Sequence, residues 1–274
     1  MEPINFDEHF TQALDAWMEK NRKKYRRPED MENAAPDVYL AWLQTPADWL
    51  GGATPGTYFN GITDAQTLTE LLVRYINEQI PVPDPLLDRI EELGQEEPVL
   101  ALLRDKAAPC EARMHAVELL RQWNSLAPMV DYLRWQVERN EEEELLDNAL
   151  ESLRDMGAEA YRPAKAAFRV AGEAGREALL DVLADFPGDD DVLNFALQQF
   201  KQCREKRALY AGYLGKLGDD RALEPLLDAA EGEDISYIDF IEVRNAIERL
   251  GGEAPVRDFS DDPTYAAVKR LQTR

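Results

Sequence analysis

Apolar residues recur three and four apart over most of the chain, the spacing that lines one face of an α-helix. Ala112, Ala116, Val117, Leu120 and Trp123 form one such stripe, and Leu146, Ala149, Leu150, Leu153 and Met156 the next. Leu179, Val182, Leu183 and Phe186 follow, then Ala211, Leu214 and Leu217, then Val243, Ala246, Ile247 and Leu250. A helix pair carrying such stripes cannot bury both its faces alone, so the units must stack on one another.

Each stripe borders a turn signal, and the turn recurs. Aligned on it, the copies read EELGQEEPVLALL (91–103), RQWNSLAPMVDYL (121–133), RDMGAEAYRPAKAAF (154–168), ADFPGDDDVLNFAL (184–197), GKLGDDRALEPLL (215–227) and ERLGGEAPVRDF (248–259). The marker residues are Gly94, Asn124, Gly157, Gly188, Gly218 and Gly251, spaced 30, 33, 31, 30 and 33 residues apart. That period predicts a repeat of helix, tight turn and helix. Gly or Asn at the marker suits the left-handed residue that ends a helix. The acidic residues that follow suit the start of the next one. Pro98, Pro128 and Pro255 each lie four residues past a marker, where the first turn of a helix needs no backbone N–H.

Ahead of the repeats the pattern is irregular. Phe6, Phe10, Ala13, Leu14 and Trp17 predict an amphipathic helix over about 4–25, with Asn5 as its cap. It runs into KNRKKYRR (20–27), a basic tract that suits a helix C-terminus. Residues 29–36 read as a linker, and 37–43 as a short helix. The segment 45–64 is rich in turn signals, with Trp49, Leu50, Tyr58 and Phe59 as apolar anchors. Thr63 and Gln66 read as a capping box for a helix from Asp64 to about Glu78, and Pro81, Pro83 and Pro85 mark its end. The expected organisation is a helical N-terminal cap (1–80), an array of about five helix pairs (81–252) and a capping tail (253–274), helical from Asp262.

RALYAGYLGKLGDDRALEPLL (207–227) resembles the bilin-lyase type of HEAT repeat. The shared features are an early basic residue, small residues facing the neighbour, an LG end, an acidic pair and an AL-x-PLL helix. EVRNAIERLGG (242–252) resembles the same motif, one turn short between Arg244 and the glycine. The resemblance implies an α-α superhelix of the HEAT or armadillo kind, used mainly for protein contacts, with a few members acting on bilins or DNA. WLQTPADWLGGATPGTYF (42–59) is faintly similar to the toxin-binding tail of some bacterial antitoxins, through Thr45, Pro46, Leu50, Gly51, Gly52 and Pro55.

Composition narrows the partners. With 31 basic and 54 acidic residues the formal net charge is −23. Such a surface repels phosphate backbones and anionic membranes, so neither nucleic acid nor a membrane is expected; a basic protein segment is favoured. No apolar run approaches the length of a membrane span, and MEPINFDEHF lacks the features of a signal peptide. Cys110 and Cys203 match no CxxC spacing, which suits a reducing cytoplasm. A monomer is the expected state.

Catalytic signatures are scarce. The two histidines, His9 and His115, stand in no HExxH or ExxH spacing, and neither GxSxG nor a phosphate-binding GxxxxGK[ST] loop is present. The acidic runs at 141–144 and 189–191, and the pairs Asp219-Asp220 and Asp261-Asp262, fall at helix starts or turns, where capping explains them. No cofactor and no metal is expected. Arg113, Arg176 and Arg207 each precede a turn by 11 residues, at Asn124, Pro187 and Gly218, and are expected to bond loop carbonyls.

What remains is the polar side of the second helices, opposite the stripes. It carries His115, Glu118 and Gln122; Asn148, Glu151 and Asp155; Glu177, Asp181 and Asp185; Glu205; and Glu242, Asn245 and Arg249. Of these, Glu118, Glu151, Asp155, Asp181, Asp185, Glu205, Glu242 and Asn245 are the candidate partner-binding residues, on what would be an acidic concave face. The expectation is a non-enzymatic protein-interaction scaffold. The alternatives are a bilin-lyase-like or DNA-glycosylase-like HEAT enzyme, and an antitoxin-like regulator using 42–59.

Overall fold

The computed structural model describes residues 1–25 and 27–272, and among them the chain is all-α, with no strand. Its backbone contacts divide into two compact units, residues 1–128 with 142–149, and residues 129–141 with 150–274. Within each unit, helices pack on their neighbours in the sequence, the solenoid-like order that the repeat pattern predicts.

The first unit holds α1 (Phe6–Asn21), α2 (Pro28–Glu32), α3 (Ala35–Leu43), α4 (Ala65–Asn77), α5 (Asp84–Leu93), α6 (Glu96–Arg104) and α7 (Cys110–Gln122). Asn5 caps α1 by accepting from the Glu8 amide at 3.0 Å, as its position predicts. Phe6 is 2% exposed and gathers the rings of Trp42, Trp49, Tyr58 and Phe59 about it at 5.2–6.4 Å. The turn-rich segment is therefore compact. It forms two 3₁₀ turns, Asp48–Leu50 and Pro55–Gly61, whose buried anchors are Leu50, Pro55 and Phe59.

Two expectations need correction here. Residues 29–36 are not a linker: α2 and the start of α3 occupy most of them, because Pro28 and Pro36 each sit in a first turn, where a missing N–H costs nothing. The cap of α4 is Asp64, not Thr63. Asp64 has extended dihedrals and its carboxylate accepts from both the amide and the hydroxyl of Thr67, while the Thr63 carbonyl accepts from Gln95.

The second unit holds α8 (Met129–Glu138), α10 (Ala158–Val170), α11 (Glu173–Leu183), α12 (Asp190–Gln202), α13 (Arg207–Leu217), α14 (Leu223–Glu231), α15 (Tyr237–Arg249) and α16 (Pro263–Gln272). The division falls inside α9 (Glu143–Asp155). Gly215 sets the distance between α13 and α15: a Cβ there would lie 2.9 Å from the Ala246 Cα. Gly175 does the same for α11 on α8, where a Cβ would meet the Gln136 carbonyl oxygen at 2.6 Å.

All six markers have positive φ, from 53° at Asn124 to 95° at Gly188. Gly94 and Gly218 are left-handed helix ends, as predicted; Gly157, at φ 55° and ψ −125°, lies in a region open to glycine alone. Asp189 caps α12, accepting from the Asp191 and Val192 amides, and Asp262 does the same for α16. The last copy departs from the pattern. Residues after Gly251 form no helix until Pro263, because no apolar stripe follows and Val256 points fully into solvent. Pro255 therefore starts no helix. Arg257 instead ties this segment to the end of α14, donating to the Ala230 carbonyl at 2.9 Å.

The predicted arginine role holds at two of three positions. Arg113 Nε donates to the Leu103 carbonyl at 3.0 Å and Arg176 Nε to the Phe168 carbonyl at 3.1 Å, each serving the end of the preceding helix. Arg207 makes no such bond among the described residues. Arg113 and Arg176 stand one turn inside their helices, whereas the 3₁₀ turn Arg204–Lys206 leaves Arg207 at the first position of α13.

Candidate functional site

In the second unit the predicted acidic face is built on α11. Glu177 and Asp181 are four residues apart and share one side of the helix, and Asp185 follows in the turn just past its end. The sequence reading missed what faces them. Lys206 and Tyr210 both bond the Glu177 carboxylate, the phenol at 2.6 Å. Tyr213 reaches Asp181 at 3.4 Å, and Arg154 of α9 pairs with the same carboxylate at 3.2 Å. Lys216 pairs with Asp185 at 3.0 Å. These rungs join α11 and the turn after it to α13 and the turn before it, and each acid has a cation.

The electrostatics follow from that pairing. Burial opposes ionisation of Glu177, but the bonds from Lys206 and Tyr210 outweigh it and hold its carboxyl below the usual range. Tyr210 and Tyr213 are pushed up, first by burial and then by the carboxylates they bond. The acid stays ionised and both phenols stay protonated through neutral pH. The rungs hold helices in register, and no proton is poised there for transfer.

The signal that could have revealed them is a distance along the chain. Lys206, Tyr210 and Tyr213 lie 29, 33 and 32 residues from the acids they bond, one repeat period. The same offset links Arg204 to Asp234 and Arg221 to Asp190, at 30 and 31 residues. A basic or hydroxyl residue one period from an acid is a signal the aligned copies carry.

The other candidates are placed as follows. Glu151 and Asp155 are exposed on the part of α9 in the second unit, and Glu205 is exposed in the turn before α13. Glu242 and Asn245 are half-buried on α15, which packs on α13. Glu118 belongs to the first unit, where it pairs with Arg121 on its own helix. His115, one turn before it, is held below the usual histidine range by burial, against the pull of Glu111 and Glu118. Cys110 and Cys203 are free thiols.

The first unit has a second acidic face, on α5. That helix buries Pro85, Leu86 and Ile90 and turns Asp84, Asp88, Glu91 and Glu92 outward. Trp123, just past α7, donates its indole N–H to the Glu91 carbonyl at 3.2 Å. Asp88, Glu91, Glu92 and Trp123 line an open cavity of about 400 Å³. Tyr39 of α3 donates to Asp84 at 3.0 Å.

Among the described residues, no group of three or more histidine, cysteine or acidic side chains is arranged to hold a metal ion. No helix among them is long and apolar enough to cross a membrane. Of the basic tract, Arg26 lies outside the described residues, while Arg22, Lys23 and Lys24 are exposed beyond the end of α1. No family model matches this chain, and no curated protein is similar to it.

Proposed function

We propose that this protein is a non-enzymatic interaction scaffold, built of HEAT-type helix pairs, that binds a protein partner carrying a basic segment. The observation that carries the reading is the repeat-to-repeat bonding: rungs such as Glu177–Tyr210 and Asp185–Lys216 fix α11 and α13, one repeat apart, in register. A preorganised polar surface lowers the cost of ordering an interface, which is what a binding platform needs. The net charge of −23 sets the partner's sign and speeds its encounter more than it tightens the complex. Lys206, Lys216 and Arg154 offset the charge at Glu177, Asp181 and Asp185, so the attraction falls to acids outside the rungs, among them Glu205 and Glu242. A reducing cytoplasm suits the two free thiols.

The test is capture of the tagged full chain from lysate of its own source, cross-linked at low salt. Recovery of one basic protein in near-stoichiometric amount, lost when salt is raised, is the expected result. Absence of any stoichiometric partner overturns the reading.

A further inference from the structure

The α5 face differs from the α11 face in one respect: among the described residues no cation pairs with its Asp84, Asp88 or Glu91. Asp84, Asp88 and Glu91 are spaced i, i+4 and i+7, so they share one side of the helix over about 10 Å of its length. Asp84 is bonded by a neutral phenol, that of Tyr39. Glu92 has Arg89 at 3.0 Å, and Arg89 also serves the Ile62 carbonyl. No cation pairs with Asp88 or Glu91 among the described residues. Burial first, then Asp84, Glu91 and Glu92, push the Asp88 carboxyl above the usual range, as expected where like charges crowd without relief.

Aromatic surface stands at both ends of this strip. Trp123 is half-exposed beside Glu91 and forms a wall of the cavity that Asp88 and Glu92 also line. At the other end lies α3, in which no residue is buried; Tyr39 and Trp42 are half-exposed and Leu40 is 61% exposed. These side chains have found no full cover within the unit that holds them.

We infer that the α5 face between Tyr39 and Trp123 is a docking surface for a basic amphipathic helix of a protein partner. The inference rests on the scaffold reading above and gives it a place. Charge complementarity selects the occupant: uncompensated carboxylates beside exposed aromatic rings call for cations on apolar stems. The carboxylate spacing selects its conformation, since lysines or arginines at i, i+4 and i+7 of a helix repeat over the same length. An aliphatic stem would lie against the Trp123 indole with its charge near the ring face, a favourable position for a cation.

The probe is a synthetic amphipathic helix with lysines at i, i+4 and i+7 flanked by leucines, titrated calorimetrically into the full chain. Three proteins are compared: wild type, Asp88→Asn with Glu91→Gln, and Glu231→Gln with Glu233→Gln, which removes the same charge from exposed positions in the other unit. All four substitutions are isosteric and outward-facing, and thermal melts verify the fold. Wild type and the second variant should bind alike, with the first roughly tenfold weaker, the effect of losing two interfacial ion pairs. Equal affinity in all three, or no binding by wild type, overturns the inference. So does a wild-type dimer in sedimentation that the first variant disperses, because the occupant is then the basic tract 20–27 of a second copy. A partner captured equally by wild type and by the first variant removes this site and leaves the scaffold reading standing.

Discussion

Asp189 does two things at once: its carboxylate caps α12 through the Asp191 and Val192 amides and pairs with Lys165 of α10. Asp189→Ala should cost about 1 kcal/mol for the cap alone, with more from stranding Lys165, measurable in urea melts at neutral pH. Burial opposes its charge, but Lys165 and the two amides prevail and hold its carboxyl below the usual carboxylate range. Its contribution is present above the unfolded pKa and is lost as pH falls through the folded one; the variant and the wild type should converge in acid. Asp88 has the opposite sign, since its folded pKa is raised. The fold disfavours its ionised form, so Asp88→Asn should raise the melting temperature at neutral pH. That gain should vanish once pH falls below the unfolded value of about 3.9. The cap at Asp189 was legible in the acidic run 189–191. Its partner Lys165 was not, because it lies on a preceding helix at a spacing no local motif records.

Among elements, the α13–α15 pair is the most constrained. With the Gly215 position 2.9 Å from the Ala246 backbone, Gly215→Ala must push the helices apart, at about 1–3 kcal/mol. For a chain of this size that is a loss of roughly 3–10 °C, read by thermal melting, with Gly212→Ala on the open side of α13 as control. Helix existence was legible where an apolar stripe marked it, because the stripes Leu179–Leu183 and Val243–Ile247 are the buried ones, but not at the short α2, which carries no stripe. Helix ends were legible where a Gly or Asn marked a turn. The pattern failed after Gly251, where a left-handed turn does end a helix but GEAPVRDF has no stripe to start another. It failed again at Arg207, whose neighbours form a 3₁₀ turn that shifts it by one helical turn relative to Arg113 and Arg176. Spacing along the chain fixes register only while the element boundaries keep step with it.

At the scale of the molecule, 54 acidic against 31 basic residues leave a self-repulsion that ion pairing cannot remove. Salt should therefore stabilise: the melting temperature should rise from about 10 mM to about 150 mM sodium chloride and then level, as screening shortens from about 30 Å to about 8 Å. A fall over that range would mean that the rungs outweigh the net charge. The acidity of the candidate face was legible in composition; its neutralisation by Lys206 and Lys216 is legible only through the repeat period, because no local motif joins residues so far apart. Those rungs have a further consequence for motion. In a linear array each repeat can open almost alone, since it touches only its neighbours. Three rungs between α11 and α13 bind two such repeats into one opening unit. Amide hydrogens of the two helices should then exchange with solvent deuterium at a common rate, and Lys206→Ala with Lys216→Ala should let them exchange independently.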